Sequence, residues 1–229
     1  MSRSLSLVLP CFNEEEVLPQ TARALLEAFR GEQLELILVD NGSLDRTGEV
    51  IAGLERADPR VRGARVPQNR GYGLGVRTGL ARTSGDWLGF LCADGQVDPE
   101  DVRALWDRAQ RLPAPALLKV RRRFRPDGGD RKLASLGWNA LANLAWGGLG
   151  ALDVNGNPKL WPRLALDPRA LRSDGWFLDA EVLIEAKRRG LPVQEQQVRG
   201  RPRQGGRSHV RLSTCGALGL DLLKARLGR

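Results

Sequence analysis

Histidine is almost absent from this chain: His209 is the only one in 229 residues. A histidine-rich metal centre is thereby excluded, as is a Ser-His-Asp triad anywhere but around that single imidazole. Cysteine is nearly as scarce. Cys11, Cys92 and Cys215 are odd in number and lack metal-ligand spacing, which points to a reducing compartment and no disulfide framework. Long apolar runs are missing too. The run from Leu5 to Pro10 is too short for a secretory signal and reads as a strand. The longest uncharged stretch, 133–152, has the length of a bilayer span. Its two Asn, one Ser and four Gly suit a buried or interfacial helix better.

What the chain does contain is ordinary for a globular α/β protein, with 41% hydrophobic and 28% charged residues, enough for one full domain. The net charge of +9 is concentrated. Residues 119–132 hold seven Lys/Arg against two Asp, and residues 199–211 hold five Arg and no acid. These segments take 12 of the 36 basic residues, so the remainder is close to neutral. Two local basic segments therefore need explaining. Nucleic-acid binding would interleave such charges with stacking aromatics, and 199–211 has no Phe, Tyr or Trp.

The first hundred residues alternate strand and helix signals. Apolar runs at 5–10, 34–40, 61–66 and 86–92 read as strands. Asn13, with Glu16 three residues on, predicts a capped helix start, and Asp98 followed by Pro99 predicts another. A Gly-rich segment at 71–75 opens a helix ending near Thr83. This alternation predicts a doubly wound, largely parallel sheet whose ligands lie beyond the strand carboxyl ends. Pro10–Glu14, Asp40–Ser43 and Cys92–Gln96 then share one rim. A further strand is expected at 117–120, then the uncharged helix and a short C-terminal helix. On that helix Trp138 and Trp146 share a broad face with Leu141, Ala142 and Ala145, suited to a lipid interface or to the core.

Each rim motif has its own chemistry. Phe12 and Glu14 bring a ring and a carboxylate to one strand end. Asp40 can accept hydrogen bonds from a base or ribose, or simply close a turn with Gly42 and Ser43. Asp94 and Gln96 offer two oxygens to a hard cation, which needs few protein ligands when phosphates supply the others. Asp179 and Glu181 either line the site or form the acid-rich start of a helix.

In this order, the blocks LSLVLPCFNEEEVL, ILVDNGSLDRTGEV, NRGYGLGVRTGLARTSGDWLGFLCADGQVDPEDV, VNGNPKLWPR, WFLDAEVLIEAKRRGLPVQEQQV and RPRQGGRSHV resemble glycosyltransferase family 2. The resemblance covers nearly the whole chain and is to the polyprenyl-phosphate transferases similar to dolichol-phosphate mannose synthase. It implies an α/β, Rossmann-like GT-A fold with a mostly parallel central sheet flanked by helices. The expected arrangement is a single domain: a nucleotide-sugar half over about 1–112, an acceptor-side half over about 113–211, and a C-terminal helix. The implied reaction is metal-dependent, inverting transfer of a sugar from a GDP- or UDP-sugar to a polyprenyl phosphate, with Mg²⁺ or Mn²⁺ held by Asp94 and Gln96. Donor contacts are implied at Pro10, Phe12, Glu14, Asp40, Asn69, Gly71, Gly73, Arg77, Asp94, Gln96, Asp179 and Ser208. Arg121, Arg131 and Ser135 match residues flanking the acceptor phosphate, and Arg203, Gly206 and Ser208 match a segment closing over the phosphates. Arg122, Arg123, Arg125 and Arg211 read as solvated surface. The expected location is cytoplasmic, with peripheral contact at the inner membrane face.

Two departures stand out. Most relatives carry Asp where this chain has Cys92, and His209 stands where Lys is common. A thiol is a poor ligand for Mg²⁺. Transfer to a non-lipid acceptor, and nucleotide-sugar binding without catalysis, are compatible with the same blocks.

Overall fold

The computed structural model describes residues 3–123 and 129–199, together with 218–219, 221–222 and 225–226; at 123 and 129–134 it is the backbone that is described. The strands are β1 (Leu5–Cys11), β2 (Leu34–Asn41), β3 (Val61–Val66), β4 (Trp87–Phe90), β5 (Leu117–Arg123), β6 (Lys159–Pro162) and β7 (Val193–Arg199). The helices are α1 (Leu18–Ala28), α2 (Thr47–Ala57), α3 (Tyr72–Leu80), α4 (Pro99–Gln110), α5 (Gly129–Ala145) and α6 (Leu178–Arg188). All seven strands join one sheet in the order β3-β2-β1-β4-β6-β5-β7. β1 pairs in parallel with β2 and β4, β2 with β3, and β5 with β7. Only β6 runs antiparallel to its neighbours β4 and β5.

Both sheet faces are covered, so the strands read as apolar runs with period-two sorting inside them. Leu5, Leu7 and Leu9 of β1 face α1 and α4, where they pack with Leu18, Leu25, Leu105 and Trp106. Val8, with Ile37 and Val39 of β2, faces the other way toward Val76 and Leu80 of α3 and Val182 and Leu183 of α6. The Asp98 cap forms as expected, its side chain accepting from Glu100 N.

Two local expectations are corrected and one strand is new. Asn13 does not cap α1. It adopts a left-handed φ of 55°, and α1 starts at Leu18 with no side-chain cap. The Asn13 amide instead bridges two rim loops, its Oδ1 accepting from Leu44 N (2.8 Å) and its N donating to Ser43 Oγ (3.1 Å). β6 carried no clear strand signal, being four residues that follow Pro158, end on Pro162 and include a lysine. Its lysine is nonetheless fully buried, because an acid on α6 meets it. Finally, α5 starts at Gly129 and stops at Ala145. Gly147, Gly148 and Gly150 take positive φ, and Lys187 Nζ donates to the carbonyls of Gly147 (2.7 Å) and Gly148 (2.6 Å). Trp138, Ala145 and Trp146 pack against the core and Ala142 is buried within it. The outward ridge of α5 is Leu136, 65% exposed, and Leu144, 82% exposed, with Leu141 at its margin.

α3 lies directly on the sheet because Gly79 has no side chain. A Cβ there would overlap Val8 and come within 2.9 Å of Val39 Cγ2. Gly79→Ala is expected to destabilise the fold by about 1–3 kcal/mol. Gly53→Ala in α2, where a Cβ meets nothing within 4 Å, is expected to stabilise it by roughly 0.5–1 kcal/mol. Thermal denaturation followed by circular dichroism checks both signs.

Candidate active site

The carboxyl ends of β1, β2 and β4 lie side by side, with Cys11 opposite Asp40 and Val8 opposite Phe90. The three sequence motifs therefore do reach one rim. Glu14 is buried there, and its backbone N donates to Thr47 Oγ1 at 2.9 Å. Asp40, also buried, closes the turn and meets an arginine. Oδ1 closes the turn by accepting from Ser43 N (2.9 Å), while Oδ2 lies 3.6 Å from Arg65 Nε. Pro10 abuts α3 near Gly75, and Phe12 is half-buried at the strand end. The Cys11 thiol is held protonated by burial and by the Glu14 and Asp40 carboxylates.

The third motif forms a tight turn after β4. Gly95 takes φ 67° and Gln96 N donates to Asp94 Oδ1 at 3.2 Å. Cys92 precedes it, its thiol pushed up to about 12 by burial and by Asp94 and Asp179. It stands beside the Tyr72 hydroxyl, which also accepts from Asn157 Nδ2 (3.2 Å). The Tyr72 ring is stacked on Trp176 at 4.6 Å, and burial raises its phenol well above the usual range.

Behind the turn lies a layer of buried charges that the sequence reading had not foreseen. Lys159 donates to Asp179 Oδ1, to Gly156 O (3.1 Å) and to Asn157 Oδ1 (3.3 Å). Arg122 grips both oxygens of Asp153 and donates to Asn155 O (2.9 Å). Lys119, cross-strand neighbour of Lys159, donates to Glu195 Oε1 (3.0 Å), Val120 O (2.9 Å) and Asp153 O. Each buried cation thus meets its own acid, the condition under which buried charge is tolerated. Burial, then the neighbouring ammonium of Lys159, lowers the Lys119 pKa to about 8. Burial would raise the Asp153 carboxyl, but Arg122 and then Lys119 hold it well below the usual range.

Several of the expected donor residues lie against the 172–175 loop. Arg77 donates to Asp174 Oδ1 (2.6 Å) and Arg172 O (2.9 Å). The space a side chain would need at Gly73 is filled by the carbonyls of Ser173 and Gly175, and at Gly71 by the backbone of Asp174. Asn69 Oδ1 accepts from Gly71 N (2.9 Å). Glu181 braces the same loop, accepting from Arg172 N (2.8 Å) and Ser173 N (2.9 Å). Asp179 sits at the start of α6, 1% exposed on Lys159. Arg121, half-buried near the end of β5, lies in register with Gln197 of β7. Arg122, expected at the surface, is drawn inward by Asp153. Ser135 is half-buried on α5, which also carries the backbone of Arg131. Arg203, Gly206, Ser208 and His209 lie outside the described residues.

The donor set of the 94–96 turn would suit a hard divalent cation that takes its remaining ligands from phosphate and water. Asp94 supplies a carboxylate and Gln96 an amide oxygen, and among the described residues no three His, Cys, Asp or Glu side chains converge on one point. Mg²⁺ typically takes one or two carboxylates and fills its other positions with substrate phosphates and water.

The family model for glycosyl transferase family 2 matches residues 6–157. The chain belongs to this family. It is 26% identical over 235 residues to a dolichyl-phosphate beta-glucosyltransferase of Trichomonas vaginalis, covering 96% of this chain and 72% of that one. It is 32% identical over 148 residues to an undecaprenyl-phosphate 4-deoxy-4-formamido-L-arabinose transferase of Photorhabdus laumondii, covering 63% of this chain. The chain spans 45% of that relative's length. A crystal structure of glucosyl-3-phosphoglycerate synthase from Mycobacterium tuberculosis, in complex with Mn²⁺, UDP and glucosyl-3-phosphoglycerate, superposes with a TM-score of 0.74 at 23% identity. The match covers 99% of this chain and 80% of that one. The fold is therefore GT-A, and the family 2 enzyme is a glycosyltransferase related to polyprenyl-phosphate sugar transferases.

Two outcomes test the charge layer of this glycosyltransferase. Lys159→Met leaves Asp179 buried without its cation and is expected to cost about 3–5 kcal/mol; Lys159→Met with Asp179→Asn recovers most of it in urea denaturation. Lys119 titrates at a lower pH folded than unfolded, so the unfolded chain binds the extra proton between about 8 and 10.5. From this group, stability is expected to rise across that window, and Lys119→Met to remove the rise.

Proposed function

We propose that this enzyme moves a sugar from a nucleotide-diphosphate sugar, with UDP or GDP as the carrier, to a polyprenyl phosphate, inverting the anomeric centre. The observation that supports it is the meeting of Glu14, Asp40 and the 94–96 turn at one rim of a GT-A sheet. Relatives named for dolichyl- and undecaprenyl-phosphate transfer favour a lipid phosphate as acceptor.

The acceptor phosphate is already an anionic nucleophile, so no strong general base is needed. Its oxygen attacks the anomeric carbon as the bond to the donor diphosphate breaks, and the electron pair leaves with the diphosphate. In this reading Asp40 meets the nucleoside, and Asp94 and Gln96 would hold Mg²⁺ or Mn²⁺. A bound cation supplies Lewis-acid stabilisation of the departing diphosphate. Arg121, Arg131 and Ser135 orient the acceptor phosphate, with Arg203 and Ser208 closing over it, using the forked geometry that suits phosphate.

Membrane contact in this reading is peripheral, at the cytoplasmic face. Among the described residues no helix is long and apolar enough to cross a membrane. The surface that meets lipid is the outward Leu136–Leu144 ridge of α5, and the basic segment at 119–132 overlaps the start of that helix.

Labelled-sugar transfer to polyprenyl phosphate is the direct test. Lipid-linked product is expected from a UDP- or GDP-sugar; product only on a water-soluble acceptor would reject the lipid assignment. Asp94→Asn is expected to lower turnover at least about 100-fold with the fold intact. Leu136→Ser with Leu144→Ser should weaken sedimentation with anionic vesicles several-fold while sparing transfer to a short-chain soluble polyprenyl phosphate.

A further inference from the structure

A second concavity lies at the amino edge of the sheet, away from the rim that gathers the three motifs. β1 and β4 start side by side there, Leu5 opposite Trp87, and antiparallel β6 ends there, Pro162 opposite Trp87. Together with the 112–115 segment after α4 they enclose a cleft of about 400 Å³. Small-molecule sites span roughly 300–1,000 Å³. The lining is mainly apolar, from Trp87, Leu112, Pro113, Pro115, Pro162 and Leu164. Trp87 is held edge-on against Trp106, ring centroids 6.0 Å apart, and the proline rings fix their own φ. These walls are therefore formed before anything binds, which lowers the ordering cost of a ligand.

Two arginines line the same cleft, each tied to a different wall by neutral oxygens. Arg163 Nε donates to Gly85 O (2.8 Å) and its Nη2 to Thr83 Oγ1 (3.1 Å). Arg3 Nη1 donates to Ala109 O (3.0 Å) and Gln110 O (3.4 Å) at the end of α4. Among the described residues neither guanidinium forms an ion pair. The one acid in the lining, Asp86, is engaged by Ser4, whose N (3.0 Å) and Oγ (2.9 Å) both donate to its Oδ2. Two cations against one acid leave net positive charge beside apolar walls. A guanidinium fastened by neutral oxygens keeps further N–H donors in a fixed fork, the geometry that suits a carboxylate. We infer that this cleft is a second ligand site, for a small amphipathic carboxylate whose chain lies on the Trp87 and proline walls and whose anion faces Arg3 and Arg163. None of its residues belongs to the rim, so the site is independent of the sugar-transfer reading.

Octanoate is titrated into the full chain by calorimetry, with octanol and octyltrimethylammonium as its uncharged and cationic counterparts. One octanoate per chain is expected to bind, roughly 10-fold or more tighter than octanol, with no saturable binding of the cation. Leu164 is 99% exposed, so Leu164→Glu adds a carboxylate to the cleft without disturbing the core. It is expected to weaken octanoate roughly 10-fold or more. Arg3→Gln with Arg163→Gln is expected to remove the preference for octanoate over octanol. Absence of saturable octanoate binding would overturn the inference, as would equal affinity for octanol or binding unchanged in Leu164→Glu. Displacement of octanoate by UDP or GDP would put it at the rim and remove the second site. Anionic vesicles binding through this face, lost in Leu164→Glu, with no binding of monomeric octanoate, would make it a membrane contact and equally overturn the inference.

Discussion

The Lys159–Asp179 pair ties a short strand of the sheet to the start of a helix that packs on it. Lys159 lies on the short antiparallel strand β6, and Asp179 opens α6. Their joint burial fixes where α6 begins relative to the sheet. The same ammonium holds Gly156 O and Asn157 Oδ1, and so the loop whose Asn157 reaches Tyr72 beside Cys92. An apolar core alone would position these elements less specifically, since hydrophobic packing has little directional preference. Lys119–Glu195 and Arg122–Asp153 repeat the device one layer further from the turn.

This charge matching also explains the conduct of the basic segment at 119–132. Its net charge invites one explanation for all seven cations, but they divide by strand register. Lys119 is buried on Glu195 and the half-buried Arg122 pairs with Asp153, whereas Arg121, also half-buried, lies in register with Gln197 of β7. The 172–175 loop sorts residues in a similar way. Its backbone lies against Gly71 and Gly73 and its Asp174 pairs with Arg77, so the Gly-rich segment at 71–75 packs closely on this loop.

Much of the first half was legible because its signals are local. Apolar runs of six to eight residues, glycines after strands and an Asp-Pro helix start each express a short-range preference, and β1 to β4 and α2 to α4 follow them closely. Asn13 was misjudged where a long-range partner outbid the local one, and at α5, where the sequence left lipid interface and core both open, long-range packing chose between them. Asn13 finds the 43–44 loop thirty residues away, and the tryptophans of α5 find the core rather than lipid. β6 was illegible because a lysine in a central strand is tolerable only with an acid supplied from elsewhere in the chain.

The sequence by itself determined the family, the alternating α/β order and the grouping of Glu14, Asp40 and Asp94 at one rim. Those follow from hydrophobic runs and from the rule that parallel strands end on the same edge. Tertiary structure alone decided which carboxylates are spent on buried cations, as Asp179 and Asp153 are. It also decided which face of α5 looks outward. Both are questions of pairing between residues distant in sequence, and no local preference encodes the identity of such a partner.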